Sequence, residues 1–324
     1  MEHMQQEVPQ LSVGAPVVGR FAPSPTGPLH LGSLVAAVGS WLFSRSRGGL
    51  WLMRMEDLDT PRVVPGMADD ILRTLELLGL EWDGPVVWQS RRTADYEAAF
   101  EELRKRGLVY SCGCSRADLA RSASAPHPGE EGPAYPGFCR NGMREEKGTR
   151  AYRLVVTDEE IIFTDAVMGE YRQNLHHACG DFVVRRRDGP FAYQLAVVVD
   201  DADMGVNQVV RGADLLSSTP RQIYLQRLLG LPTPAYAHLP LVIAPDGAKL
   251  SKRDSTVSLA RDHDLAVHGA RLIATALMFL GQRVPDKLFR TSCSEVLAWG
   301  VENFDPALIS RQPGPPVTAV ESFF

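Results

Sequence analysis

Hydrophobic and polar positions along the chain change period several times, and the changes mark out elements. The apolar run at Val17-Val18 reads as a strand over 17–21, and Ser33-Leu34-Val35-Ala36-Ala37-Val38 opens an amphipathic helix over 32–46. A strand around Trp51 to Arg54 and helices from Gly66 to Leu78 and from Thr93 to Arg106 follow. This alternation is the first half of an α/β fold with a doubly wound parallel sheet. Residues 112–150 are rich in Gly, Pro, Ser and charge and read as a loop-rich insert that needs a staple. Strand-like segments at 151–156, 161–165, 181–185 and 191–199 suggest antiparallel hairpins before a helix at 219–229 returns to the core. Val197-Val198-Val199 ends in Asp200-Asp201, as a buried strand reaching the functional edge of a sheet would. Ala270 to Leu280 is a further apolar-rich helical stretch. The expected division is a flexible leader (1–16), the first half of the catalytic-type domain (17–111), an inserted subdomain (112–190), the second half (191–253) and a helical C-terminal segment (254–324).

At 324 residues and 44 % hydrophobic content, the chain can bury a substantial core. No apolar run reaches the roughly 18 residues of a membrane span, and Met1-Glu2-His3-Met4-Gln5-Gln6-Glu7 lacks the regions of a signal peptide. A cytoplasmic monomer is expected. Five cysteines, an odd number with Cys112 and Cys114 one residue apart, do not form a secreted disulfide framework. The net charge of −5 and pI near 5.9 argue against indiscriminate polyanion binding. A local basic surface could still hold RNA, and Arg185-Arg186-Arg187 before the Asp188-Gly189 turn is one candidate; a solvated hairpin tip fits that run equally well.

Two distant segments carry the chemistry. Gly19-Arg20-Phe21-Ala22-Pro23-Ser24-Pro25-Thr26-Gly27-Pro28-Leu29-His30-Leu31-Gly32-Ser33 runs from strand through a Pro/Gly loop into a helix start, where backbone N–H groups suit a phosphate. Gly27 and Gly32 have P-loop glycine spacing, but Ser33 stands where that motif needs its lysine. The second segment is Lys249-Leu250-Ser251-Lys252-Arg253, whose mobile ammonium groups can close over a leaving anion.

His30-Leu31-Gly32-Ser33 resembles the HIGH motif of class I aminoacyl-tRNA synthetases, and the lysine-rich stretch resembles their KMSKS loop. The match extends to glutamyl-tRNA synthetase through Arg20-Phe21-Ala22-Pro23-Ser24-Pro25-Thr26-Gly27, Arg54-Met55-Glu56-Asp57-Leu58-Asp59-Thr60-Pro61-Arg62 and Arg211-Gly212-Ala213-Asp214-Leu215-Leu216. This resemblance implies a class I synthetase-type Rossmann domain that activates L-glutamate with ATP, Mg2+ accompanying the nucleotide. It places His30, Gly32, Ser33, Lys249 and Lys252 at ATP, with His30 and Lys252 catalytic, and Arg20, Ala22, Ser24, Glu56, Tyr193 and Arg211 at glutamate. The chemistry is sensible: guanidinium groups grip carboxylates, Glu56 accepts the α-ammonium, and Tyr193 adds a hydroxyl from a strand position. Glu56 could instead merely pair with Arg54, and simple pairing is the expectation for Asp57, Asp59 and Arg62. Only 71 residues follow Arg253, too few for the helical anticodon-reading domain of a full glutamyl-tRNA synthetase. The resemblance is therefore to its truncated paralogues, which attach glutamate to the queuosine base in the anticodon of tRNA(Asp).

Cys112-x-Cys114 with Cys139 is a candidate zinc staple for the insert, since a stretch of little core gains order from a metal. The fourth ligand is open on the residues alone, with His127 nearby; the family resemblance implies Tyr135. Cys179 and Cys293 read as buried structural thiols. Competing readings are a shortened glutamyl-tRNA synthetase charging the 3′ end, a non-catalytic tRNA-binding paralogue, and a HIGH-type nucleotidyltransferase acting on a small acid. Intact Arg20, His30, Glu56, Tyr193, Arg211 and Lys252 speak against the last two.

Overall fold

The computed structural model describes residues 16–114, 134–142, 148–243 and 265–313. β1 (Val18–Phe21) leads through the Pro/Gly loop to α1 (Leu31–Arg45), and β2 (Leu50–Met55) returns parallel to β1, with Val18 opposite Leu50 and Phe21 opposite Met53. α2 (Met67–Leu77) then leads to β3 (Val87–Trp88), parallel to β2. Parallel neighbours need crossovers, and the two helices supply them. α3 (Thr93–Lys105) and β4 (Val109–Cys112) follow, and β4 pairs antiparallel with β5 (Ala151–Leu154).

β6 (Glu160–Asp165) and β7 (Gly169–Asn174) form a hairpin that ends in the short α4 (Leu175–Ala178). β8 (Val183–Arg185) completes the small antiparallel sheet β4-β5-β8. Next come α5 (Tyr193–Asp203), β9 (Gln208–Gly212), α6 (Thr219–Leu229) and β10 (Ala235–Leu239). β10 lies between β9 and β6, parallel to both, and β7 forms the antiparallel edge. β1 and β9 join the two parallel groups: Val18 N–H donates to Asn207 Oδ1 at 2.8 Å and Asn207 N–H to Val18 O at 3.0 Å. The order β3-β2-β1 on one side and β9-β10-β6 on the other reverses at this seam, the place where open α/β sheets bind ligands.

α1 is buried on most of its circumference, with Leu34, Val35, Ala37, Val38, Leu42 and Phe43 in the core. It lies against β1 and β9 on one side and α7 (Leu265–Phe279) on the other, while α8 (Cys293–Asn303) covers α7. Each large side chain buried here stabilises the fold by about 1.5–3 kcal/mol. Gly39 permits the approach to β10, because a Cβ there would sit 2.5 Å from Leu239 Cδ1. A second core joins α3, α5, β6 and β10 around Phe100, Phe163, Leu195 and Tyr236. No helix among the described residues is long and apolar enough to cross a membrane.

The segment expected as a strand over 191–199 is instead helix α5. Leu195 through Asp201 are all buried, and a short, fully buried apolar run has no period by which strand and helix differ. The β preference of Val197-Val198-Val199 is weak and yields to packing. Asp200 and Asp201 therefore lie on the last turns of a helix and not at a sheet edge, and Tyr193 opens that helix.

Candidate active site and metal cluster

A pocket opens at the β1/β9 seam, beyond the ends of both strands. Arg20, Ala22, Ser24, His30, Gly32, Ser33, Glu56, Tyr193 and Arg211 all line it, so nine of the residues expected from sequence come together. Lys249 and Lys252 lie outside the described residues.

His30 is the N-cap of α1, and its Nδ1 accepts from Ser33 N–H at 3.3 Å. An imidazole accepting at Nδ1 carries its proton on Nε2 and is a hydrogen-bond donor there. Gly32 makes room for the ring, since a Cβ there would lie 3.1 Å from His30 Cε1. The first turn of α1 holds no acidic residue, so the positive end of the helix dipole faces the pocket unopposed by a carboxylate of its own.

Across the pocket, Glu56 is fixed where its N–H donates to Pro23 O at 2.9 Å, tying the end of β2 to the motif loop. Its carboxylate accepts from Arg54 Nη2 at 3.2 Å, so the Arg54 pairing weighed from sequence does occur. Burial pushes the Glu56 carboxyl up, against the opposing pull of Arg54 and Arg20. Arg54 is wholly buried, and its Nη1 donates to Asp201 Oδ1 at 2.5 Å. Arg20 Nε donates to the same oxygen at 3.1 Å. Asp200 accepts from Gln89 Nε2 at 2.7 Å, Arg92 Nε at 2.6 Å and Tyr96 OH at 2.9 Å. Beneath the pocket there is thus a buried layer of paired charges that sequence reasoning missed; Asp200-Asp201 was its one visible signal.

Arg211 differs from Arg20 in its company. Nε donates to His238 Nε2 at 3.1 Å, Nη1 to Tyr193 OH at 3.3 Å, and Nη2 to Thr219 Oγ1 at 2.9 Å and Gln222 Oε1 at 2.7 Å. None of these partners is a carboxylate. Among the described residues these bonds occupy four of its five N–H groups, and an Nη1 N–H is left to the pocket that Arg211 lines.

The pairings expected near Glu56 are present in part. Arg62 binds Asp59, as does Arg186 at 3.2 Å. Asp57 instead accepts from Ser90 N–H at 2.8 Å and Ser90 Oγ at 2.6 Å, Ser90 lying in the short turn Gln89–Arg91 that follows β3. The Arg185-Arg186-Arg187 run is a hairpin tip whose cations are turned to protein partners. Arg185 binds Glu97 at 3.1 Å, Arg186 binds Asp188 at 2.6 Å, and Arg187 donates to Cys114 O at 3.2 Å.

Far along β4, Cys112, Cys114 and Cys139 bring their sulfurs within 4.8 Å of one another. Tyr135 OH lies 3.4 Å from Cys112 Sγ and 3.6 Å from Cys114 Sγ, and Cys114 and Cys139 sulfurs are 3.7 Å apart. Tetrahedral zinc with Zn–S near 2.3 Å and Zn–O near 2.0 Å separates its donors by roughly 3.5–3.8 Å, so the cluster is consistent with zinc. Arg153 donates from Nε to Cys112 Sγ at 3.3 Å and lies 3.9 Å over the Tyr135 ring, a cation placed against donors that bind metal as anions. Burial raises the Cys114 thiol to about 11. His127 lies outside the described residues. Cys179 and Cys293 stand apart and are half-buried, more open than the structural thiols expected.

Residues 16–282 match the family model for the catalytic domain of class I tRNA synthetases (E and Q). The chain is 60 % identical over 93 % of its length to glutamyl-Q tRNA(Asp) synthetase of Geobacter sulfurreducens, covering 96 % of that protein. It is 54 % identical over 93 % of its length to the protein of the same name from Dechloromonas aromatica, covering 98 % of it. Among solved structures, the glutamate-tRNA synthetase of Elizabethkingia anophelis superposes with a TM-score of 0.77 at 27 % identity, covering 95 % of this chain and 70 % of that one. A glutamate tRNA ligase from Elizabethkingia meningosepticum, crystallised in complex with its amino acid, gives 0.78 at 26 % identity, covering 95 % and 69 %. On its catalytic-domain match and its extended identity to these relatives, the chain belongs to the class I tRNA synthetases (E and Q), within the glutamyl-Q tRNA(Asp) synthetase family.

Proposed function

We propose that the pocket at the β1/β9 seam activates L-glutamate with ATP and that the chain passes glutamate to the queuosine base in the anticodon of tRNA(Asp). One observation carries the reading: Arg20, Glu56, Tyr193 and Arg211 meet in a single cavity with the His30 end of α1. Glutamate brings one ammonium and two carboxylates. Arg211, surrounded by uncharged partners, supplies the guanidinium with most charge to offer a substrate carboxylate, and Arg20 adds a second while its own charge is shared with Asp201. Glu56 takes the α-ammonium, Tyr193 offers its hydroxyl, and Ala22 and Ser24 shape the wall.

Attack of the glutamate carboxylate on the α-phosphorus of ATP forms the adenylate and expels pyrophosphate, so charge builds on the leaving oxygens. His30 Nε2–H, the backbone N–H of Gly32 and the hydroxyl of Ser33 receive the phosphates, while Ser33 N–H holds the His30 ring in place. Lys249 and Lys252 close over pyrophosphate, with Lys252 the catalytic one, and Mg2+ arrives with ATP. Every group assigned to activation belongs to this chain, so activation proceeds without RNA. The cluster of Cys112, Cys114, Cys139 and Tyr135 holds a structural zinc that orders the 112–190 insert between the two halves of the catalytic domain, 17–111 and 191–253, with 254–324 as a helical C-terminal segment.

A queuosine cyclopentenediol presents vicinal hydroxyls like those of a terminal ribose, which lets the same adenylate serve it. The test uses labelled glutamate and tRNA(Asp) with and without queuosine, followed by nuclease mapping. Label confined to the anticodon fragment of the modified tRNA is expected. Label travelling with the 3′-terminal adenosine would overturn the reading.

A further inference from the structure

Behind Arg211, away from the pocket, three neighbouring strands carry a line of buried polar side chains that no assigned role uses. Arg211 on β9 is the register partner of His238 on β10, and Asp165 on β6 pairs with Tyr236 two residues before His238. His238 and Asp165 are both wholly buried at their side chains, and His238 Nδ1 lies 2.6 Å from Asp165 Oδ2. Asp165 Oδ1 accepts three backbone N–H groups, from Val167 at 3.0 Å, Met168 at 2.8 Å and His238 at 3.1 Å. The carboxylate is therefore held rigidly, and these bonds with His238 keep it below the usual carboxylate range against the upward push of burial.

His238 Nε2 has two neighbours, Arg211 Nε at 3.1 Å and Thr219 Oγ1 at 3.2 Å, and the hydroxyl can serve as donor or acceptor, so the two charged groups decide the tautomer. Arg211 Nε–H can only donate, so His238 Nε2 must accept; Asp165 accepts throughout, so His238 Nδ1 must donate. Burial holds His238 below its ordinary value, with Arg211 pushing the same way, which keeps the ring neutral and its Nε2 lone pair available. Protonation, or the opposite tautomer, would set an Nε2–H against Arg211 Nε–H at 3.1 Å, with Thr219 Oγ1, which already accepts from Arg211 Nη2, as its one alternative acceptor among the described residues.

We propose that Asp165 and His238 are positioning residues for amino-acid recognition: Asp165 fixes the Nδ1–H tautomer of His238, whose Nε2 then sets the plane in which Arg211 presents its open N–H to a substrate carboxylate. The assignment rests on the reading of the pocket as a glutamate site, and it adds residues that never touch the substrate. A fixed acceptor behind the guanidinium removes rotamers that would otherwise be lost on binding, so the arginine fork meets its carboxylate pre-oriented.

Asp165→Asn isolates the tautomer. The amide oxygen can keep the three backbone bonds while its N–H2 faces His238, forcing Nδ1 to accept and Nε2 to carry the proton toward Arg211. One opposed buried donor pair costs about 1–3 kcal/mol, so the glutamate KM in ATP–pyrophosphate exchange should rise roughly ten-fold or more. The ATP KM and the melting temperature in the presence of ATP should move little. Nitrogen chemical shifts of His238 should report Nδ1–H in the wild type and Nε2–H in the variant. Nε2–H in the wild type overturns the proposal even if the variant does not fold. So does a switched tautomer with an unchanged glutamate KM, an unswitched tautomer in the variant, or an equal rise in both KM values. Arg211→Lys separates the two readings: a glutamate KM unmoved by that change sinks the glutamate pocket itself, whatever the tautomer of His238.

Discussion

Arg20 and Asp201 meet across 181 residues of sequence, Arg20 Nε donating to Asp201 Oδ1 at 3.1 Å beneath the pocket floor. Arg54 Nη1 shares the same oxygen while its Nη2 reaches Glu56, so Asp201 bridges two buried guanidinium groups. Removing a partner from such a group strands charge in the interior, at a cost of about 3–5 kcal/mol. Asp201→Asn is expected to lose stability on that scale in urea unfolding and to raise the glutamate KM, because Arg20 loses its anchor. Burial pushes Asp201 up, but Arg20 and Arg54 outweigh it and hold the folded-state value below the unfolded one. Its contribution is thus present above the ordinary carboxylate pKa of about 4 and is lost as pH falls through the folded value. Acid unfolding of the variant should show a smaller pH dependence in that window. A variant as stable as the wild type at neutral pH would mean that the pair contributes nothing.

Glu56 shifts in the opposite direction, because burial outweighs the pull of Arg54 and Arg20. A folded-state value above the unfolded one stabilises the protein at low pH, and that contribution is lost as pH rises from the unfolded value through the folded one. A substrate ammonium beside the carboxylate favours ionisation. Glutamate binding should therefore release protons at a pH where free Glu56 is partly protonated, and affinity should rise with pH across that range. Calorimetry in two buffers of different ionisation enthalpy reads the release directly, and Glu56→Gln should abolish it. Identical heats in both buffers would remove Glu56 as the ammonium acceptor.

The legibility of this site in sequence follows the range of its contacts. Arg20 to Ser33 form one continuous strand, loop and helix start, so their joint arrangement is encoded locally, and all the residues expected there line the pocket. α1 and α6 were readable because their end signals lie within or beside the segments themselves, at His30 for α1 and at Pro220 and Gly230 for α6. The Asp200-Asp201 pair shows where this fails. Its meaning depends on Arg20, Arg54 and Arg92, each more than a hundred residues away, and on a helix whose all-round burial erases its period. His238 and Asp165 left no trace either, since isolated polar residues in strands normally read as surface positions. The tertiary fold alone brings them behind Arg211.

Lys252 supplies a separate test of the activation chemistry. An ammonium that meets the leaving pyrophosphate interacts with the transition state more strongly than with bound glutamate, so its loss falls on the rate. Lys252→Ala should depress kcat for ATP–pyrophosphate exchange while leaving the glutamate KM within about three-fold, a loss of roughly 2–4 kcal/mol in transition-state stabilisation being the scale for one electrostatic donor. A pure rise in the glutamate KM with full kcat would take Lys252 out of the catalytic role.

The cysteine cluster makes its prediction through protons and order. With burial holding the Cys114 thiol at about 11, that ligand is protonated near pH 7 in the metal-free cluster, and zinc must displace its proton to bind. Zinc affinity should consequently climb with pH, and protein purified without added metal should carry about one zinc per chain by emission spectroscopy. Cys112 ends β4, Tyr135 N–H donates to Cys179 O at 2.9 Å, and Arg140 ties the loop to Asp181 at 2.6 Å, so the cluster pins together segments far apart in sequence. Cys114→Ser or chelation should expose residues 112–139 to protease while the core around α1, which shares no side chain with the cluster, keeps its melting transition. Zinc well below one per chain, with an unchanged cleavage pattern in the variant, would leave Cys112, Cys114 and Cys139 as ordinary thiols packed around a tyrosine.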